Sequence, residues 1–320
     1  MGFRKFLAVA VLAAASSVAF AQGYPTKPVH VIISFTPGSA TDIVGRVVGA
    51  KLSEYWGQPL VMENRAGAGG SVGSAVVAKA APDGYTLLIN SSAHVVNPGI
   101  YANLPYDTMK DFVNIAPLAG QPNVLVVAHE SKIKTVADLI AEAKANPGKI
   151  NFGHAGVGSG THLNTEKLIA ATGIKVLQIP YKGTPEVVAD ILGGRTTTYL
   201  APISAAISMV KSGKLRALAV STIKRNSQLP DVPTIAETGI PGFDFTLWFG
   251  LWGPAGMAPD VVEKINRDAS RAVADPATRD KLVALGNDTM SMSTSQFTSF
   301  VQSELADTLK VLKDAGIKPQ

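Results

Sequence analysis

Residues 29–42 read VHVIISFTPGSATD, an apolar run, then a short loop, then the start of a helical pattern. Val29 to Ser34 is short, apolar and rich in β-branched residues, which predicts a buried strand. Ile43, Val44, Val47, Val48 and Leu52 then recur on one face at helical spacing. Between the two lie Pro37, Gly38 and several small polar residues, with no Lys or Arg. A helix N-terminus carries unpaired backbone N–H groups and a partial positive charge, so a loop of small residues there makes an anion site without a basic side chain. Gly38 permits close backbone approach, Ser39 and Thr41 offer hydroxyls, and Ser39-x-x-Asp42 has capping-box form, in which Asp42 would hold the turn. The form returns at 153–164, GHAGVGSGTHLN, again between a strand and a helix. Either loop alone also reads as an ordinary strand-to-helix connection with an N-cap; two of them suggest half-sites facing each other across a cleft.

The same alternation extends outward. Strands are expected at Pro59 to Glu63, Tyr85 to Asn90, Val124 to Ala128, Ile150 to Gly153, Lys175 to Ile179, Thr198 to Ala201 and Leu215 to Ser221. Helices are expected at Val72 to Ala80, Thr135 to Ala145, Pro185 to Leu192 and Ala205 to Lys211, with two more at Ala258 to Leu285 and Thr294 to Ala315. Phe243 to Trp252 reads as extended. Strands alternating with helices predict an α/β protein with mostly parallel sheets flanked by helices.

Composition narrows the function classes. The 320 residues are 46% hydrophobic, ample for two cores. Arg4 and Lys5 precede an apolar segment ending in Ala19-Phe20-Ala21, the pattern of a signal peptide cleaved near Ala21; as a membrane span it falls short of the roughly 20 residues required. The formal charge of +5 includes Arg4 and Lys5, and no basic run suits a nucleic-acid groove. The absence of cysteine removes disulfides, thiol nucleophiles and cysteine metal sites. His30, His94, His129, His154 and His162 show no helical metal-pair spacing; His162 is the one placed to touch a ligand, and His30 and His129 read as structural or solvated. Gly69-Gly70-Ser71-Val72-Gly73 matches G-x-S-x-G, but six residues separate Ser71's glycine from the strand that a nucleophile elbow requires. Trp248, Phe249 and Trp252 read as core, with an aromatic cleft wall as the alternative.

YPTKPVHVI, FTPGSATDIVGR, ENRAGAGGSVG, PDGYTLL, LPYDTMKDF, GSGTHL, PYKGTPE, LRALAVST, LPDVPTIAETGIPGF and WFGLWGPAG together resemble the solute-binding receptors of tripartite tricarboxylate transporters, the Bordetella uptake receptor family. The resemblance implies a two-lobed periplasmic binding protein of Venus-flytrap type. One lobe would take residues 24–124 plus 245–320, the other 125–244, with crossings near Val124 and Thr246. It implies a small carboxylate ligand, a membrane permease as partner, a monomer, and no cofactor, metal or catalytic residue. Carried over by position, the ligand residues are Phe35, Pro37, Gly38, Ser39 and Asp42 on the first loop and Gly158, Ser159, Gly160, Thr161 and His162 on the second. Ser91, Ser92, Tyr181 and Gly183 are the secondary contacts. Ser39 stands where such proteins often carry a second glycine, and Thr198 where an acidic residue is frequent, which argues against amine ligands. A sensor presenting its bound carboxylate to a membrane signalling protein would need the same clamshell.

Overall fold

The computed structural model describes residues 23–314 and 316–319, so the expected signal segment lies outside the described residues. Strands β1 (Val29–Ile33), β2 (Leu60–Asn64) and β3 (Thr86–Ser91) alternate with helices α1 (Ala40–Trp56) and α2 (Ser71–Ala78), and α3 (Ala93–Ile100) follows. The long β4 (Phe112–Ala128) leads to α4 (Val136–Ala145), β5 (Asn151–His154), α5 (Gly160–Thr172), β6 (Leu177–Pro180), α6 (Thr184–Leu192), β7 (Thr198–Pro202), α7 (Ile203–Lys211) and β8 (Leu215–Val220). The chain then returns through β9 (Thr246–Pro254) to α8 (Pro259–Ala274), α9 (Pro276–Ala284), β10 (Asp288–Thr289) and α10 (Thr294–Asp314).

The strands form one mixed sheet ordered β2-β1-β3-β9-β4-β7-β5-β6, with β8 and β10 also paired to β4. Pairs made through helical crossovers, β1 with β2 and β3 and β5 with β6 and β7, are parallel. Every pair that involves β4 or β9 is antiparallel. The sheet thus keeps the expected parallel strands at its two ends and joins them through an antiparallel centre.

Three local expectations are corrected. The β4 strand starts at Phe112 and not near Val124, because Pro117, Gly120 and Pro122 break up its apolar pattern. Register shifts against β9 near Asn114–Ala116 and Pro117–Ala119 absorb the irregularity. The helix expected over Ala258 to Leu285 is two helices: Asp275 is driven to ψ 128 by the following Pro276 and caps α9, its carboxylate accepting from Thr278 N–H at 3.1 Å. Finally, α3 forms although Pro98 lies inside it and no helix is expected there. The His94 carbonyl that Pro98 leaves without its helical donor accepts instead from Thr108 Oγ1 at 3.2 Å.

Side-chain alternation along β4 separates the cores on its two faces. Leu125 and Val127 join Leu139, Phe152 and Leu168, while Val124 and Val126 join Val187, Ile191, Ala206 and Ile207. Upstream, Ile115 and Ala119 pack with α1 and α8, and Phe112 lies on the other face with Trp248, Trp252 and Phe297. Trp248, Phe249 and Trp252 are all buried, as the core reading expects. Each indole is also satisfied, with Trp252 Nε1 donating to Asn114 Oδ1 at 2.8 Å and Trp248 Nε1 to Glu304 Oε2 at 2.7 Å.

The two chain crossings between the sheet's halves are tied by one buried serine. Ser221 Oγ donates to the Phe245 carbonyl at 2.7 Å and accepts from Asn123 N–H at 2.9 Å. Its own N–H and carbonyl pair with Asn123 O and Phe245 N at 2.8 Å each. Ser221→Ala leaves a buried donor and a buried acceptor unpaired, and a loss of about 2–4 kcal/mol is expected in urea unfolding. His94 is fully buried among Tyr106, Phe112 and Trp252, and burial pulls its imidazole down to about 3. The unfolded chain takes up a proton on this group below its ordinary value of about 6.5, whereas the folded chain does not until about 3. Stability present above pH ~6.5 is therefore lost as pH falls toward 3, at up to about 1.4 kcal/mol per pH unit. His94→Phe is expected to lose roughly 2 kcal/mol less than wild type between pH 7 and 4.5 in parallel unfolding titrations.

Candidate functional site

The strand-loop-helix units at residues 29–56 and 151–172 meet at a narrow cavity of about 20 Å³, room for roughly one water. Ser39, Ala40 and Thr41 line it from the start of α1, and Ser159, Gly160 and Thr161 from the start of α5. Thr184, the first residue of α6, Pro202, the N-cap of α7, and Ser91, just before the N-cap of α3, complete the polar and backbone wall. Five helix N-termini therefore converge on one small space. Phe35, Ala155 and Leu247 supply its apolar wall, and no acidic or basic side chain lines it.

The two principal helix starts are built differently. Ser159 caps α5 in the ordinary way, its Oγ accepting from His162 N–H at 3.1 Å, and it shares a 3.0 Å hydrogen bond with Thr161 Oγ1. Thr161 Oγ1 also accepts from Ala155 N–H at 3.0 Å, which ties the strand end to the helix start. Ser39 makes no such cap, so the expected capping box is not formed. Asp42 holds the turn by another route: its Oδ2 accepts from Gly38 N–H at 3.0 Å, and its Oδ1 takes Arg46 Nε at 2.8 Å and Asn64 Nδ2 at 2.9 Å. Ser39 Oγ is left buried without a partner beside the cavity, and so is Ser92 Oγ nearby. An oxyanion is the natural complement of such hydroxyls and of the helix starts around them.

Of the residues expected to meet a ligand, the structure gathers Phe35, Ser39, Ser91, Ser159, Gly160 and Thr161 on the cavity. Pro37 and Gly38 stand exposed beside it, and Asp42 lies behind the turn it braces. Ser92 lies deeper, its Oγ 2.7 Å from where a Gly160 Cβ would sit. Gly158 and Gly183 instead face residues 97–101 and Thr36. Tyr181 is turned away, its hydroxyl donating to Asp190 Oδ2 and sharing a hydrogen bond with Thr196 Oγ1, both at 2.7 Å. His162 is turned away too: its ring lies 4.7 Å from that of His154, and its Nε2 is 3.5 Å from Glu166 Oε1. Burial and then the neighbouring His162 hold the His154 imidazole down at about 4, so it is neutral at physiological pH.

Thr184, Pro202, Ala155 and Leu247 complete the wall without having been expected there. Thr184 and Pro202 share the signal of the two loops, a helix start following a strand, but with neither the glycines nor the serines that draw attention to it. Thr184 Oγ1 is 3.0 Å from the Tyr199 hydroxyl, whose phenol burial raises to about 12. Ser71, the alternative nucleophile, begins α2 after a left-handed Gly70 and does not sit at a strand tip. A larger open groove, about 490 Å³, lies between α5 and α10; Asp244, Glu304 and Asp307 outnumber Lys167 on its walls and disfavour an anion. No group of side chains suited to holding a metal ion occurs among the described residues.

Comparison with known proteins agrees with this architecture. The family model described as the tripartite tricarboxylate transporter family receptor matches residues 44–317. The protein BugT of Bordetella pertussis is 36% identical over 315 residues, covering 98% of this chain and 96% of its own. The solved periplasmic binding protein BugD superimposes with a TM-score of 0.89 at 31% identity, over 93% of this chain and all of its own. R. palustris Rpa4515, solved with adipate, gives 0.90 at 33% identity, again over 93% of this chain and all of its own. These proteins are solute-binding proteins and not enzymes, and they share the α/β periplasmic binding protein fold. With the family model matching most of its length, the chain belongs to the tripartite tricarboxylate transporter receptor family.

Proposed function

We infer that this chain is a periplasmic receptor that closes two lobes on a small organic carboxylate and delivers it to a membrane permease of the tripartite type. The convergence of five helix N-termini on a cavity lined by no charged side chain carries this reading. Each terminus contributes roughly half a positive charge, and N–H groups and hydroxyls fixed in a small, partly dehydrated space bind a carboxylate without a counter-ion. An amine would meet the same field as repulsion. The adipate bound by Rpa4515 is a carboxylate of this class. Extracytoplasmic location follows from the family, from the periplasmic BugD and from the signal pattern ending at Ala21.

The lobes we assign are residues 24–124 plus 245–320 and residues 125–244. Support comes from β4, which exchanges its β9 partner for β7 and β8 between Pro122 and Val124, and from the return of the chain at Thr246. Because the cavity takes walls from both, a ligand touches all its partners only when the lobes are together, and its differential affinity drives closure.

Titration calorimetry and thermal shift on the chain from Gln22 onward, against adipate, malate, benzoate and aliphatic amines, test the reading. A carboxylate at 100 times its dissociation constant should add about 2.7 kcal/mol, with no response to amines. Since no titrating side chain lines the cavity, the dissociation constant should stay flat between pH 7 and 9. Gly160→Val is expected to weaken binding at least about 100-fold, because even a Cβ there would stand 2.5 Å from Leu247 Cδ1 and 2.7 Å from Ser92 Oγ. Binding of amines in place of acids would overturn the proposal.

A further inference from the structure

The glycine-rich stretch Gly67-Ala68-Gly69-Gly70 lies outside the ligand cavity, and all four of its residues have positive φ. Ala68, at φ 44, is the only non-glycine in that region among the described residues. Its neighbour Gly69 is buried against residues 156–159 of the opposite loop. A Cβ on Gly69 would lie 2.2 Å from the Val157 carbonyl oxygen and 2.8 Å from the Gly158 carbonyl carbon, so the two backbones touch. Tyr101 closes the same contact from α3's end: its hydroxyl donates to the Val157 carbonyl at 2.8 Å. Asn97 adds a donor to Gly69 O at 3.4 Å, and its Oδ1 would lie 2.4 Å from a Cβ on Gly158.

We propose that Gly69 and Tyr101 form a latch that grips the Val157–Gly158 backbone across the cleft and so positions the start of α5 for its ligand. The proposal rests on the two-lobed receptor reading and adds to it a pair of positioning residues that never touch the ligand. Val157 and Gly158 lead directly into Ser159, whose cap presents Gly160 and Thr161 to the cavity. The contact exists only while the lobes are together, so its free energy belongs to the closed state alone and raises that state's population. Burial raises the Tyr101 phenol, which keeps it a donor at neutral pH. The glycines preceding Ser71 thereby serve close backbone approach between lobes and not a nucleophile.

The absence of cysteine from the sequence makes the test direct. Nitroxides at Lys79→Cys and Lys144→Cys, both exposed positions in opposite lobes, report the lobe separation with and without adipate or malate. Wild type should populate the short distance of the closed form. Tyr101→Phe, which deletes one hydroxyl, should lower the ratio of closed to open about five- to tenfold, and Gly69→Ala should leave only the open form, with circular dichroism unchanged. Closure of both variants to the wild-type extent would overturn the latch, as would a wild type that stays open under every condition. If wild type closes and the variants do not, but neither acid binds, the carboxylate reading fails and the latch stands.

Discussion

Two neighbouring antiparallel strands, β4 and β9, carry the whole architecture. β4 is buried along nearly its full 17 residues and serves both ends of the sheet, pairing with β9 up to Pro122 and with β7 and β8 beyond it. Proline has no N–H to donate, so a change of partners at Pro122 costs less there than elsewhere on the strand. Ser221 fastens the outgoing crossing at Asn123 to the returning one at Phe245. A rotation of one half against the other would pass through these few residues, since the rest of β4 is locked in hydrogen bonds and apolar packing on both faces.

That scaffold brings the candidate site together without a charged side chain on its walls. Five helices start where the two halves of the sheet meet, and residues at or beside their starts line a cavity that no acidic or basic side chain lines. Asp42, in the first turn of α1, is withheld from the site by Gly38, Arg46 and Asn64, all of which it uses to brace the first loop. His162, although it belongs to the second loop, faces His154 and Glu166 and contributes its backbone N–H to the Ser159 cap. The polar residues around the cavity thus serve mainly to hold backbone dipoles in place, which keeps the site's field independent of titration.

The strand-loop-helix units around SFTPGSATD and GHAGVGSGTHLN were legible because each moves from a compact apolar run to helical spacing across a few small residues. Those same features give Ser39, Ser159, Gly160 and Thr161 their places on the cavity. Residues carried over through family resemblance divide: Phe35 and Ser91 reach the cavity, while Tyr181 and His162 point elsewhere. The first half of β4 and the helix α3 were hidden by prolines, whose missing donors are accommodated by register shifts and by Thr108, neither of which a linear pattern contains.

Local periodicity, loop composition and capping chemistry act over a few residues, so the sequence by itself determined the α/β class, the two strand-loop-helix units and the burial of the Trp248 to Trp252 aromatics. Contacts between residues far apart in the chain were decided only by the tertiary structure. Among them are the arrival of Leu247, Thr184 and Pro202 at one cavity and the backbone contact of Gly69 with Val157. Each depends on how β4 places one half of the sheet against the other, and no spacing within either segment encodes that placement.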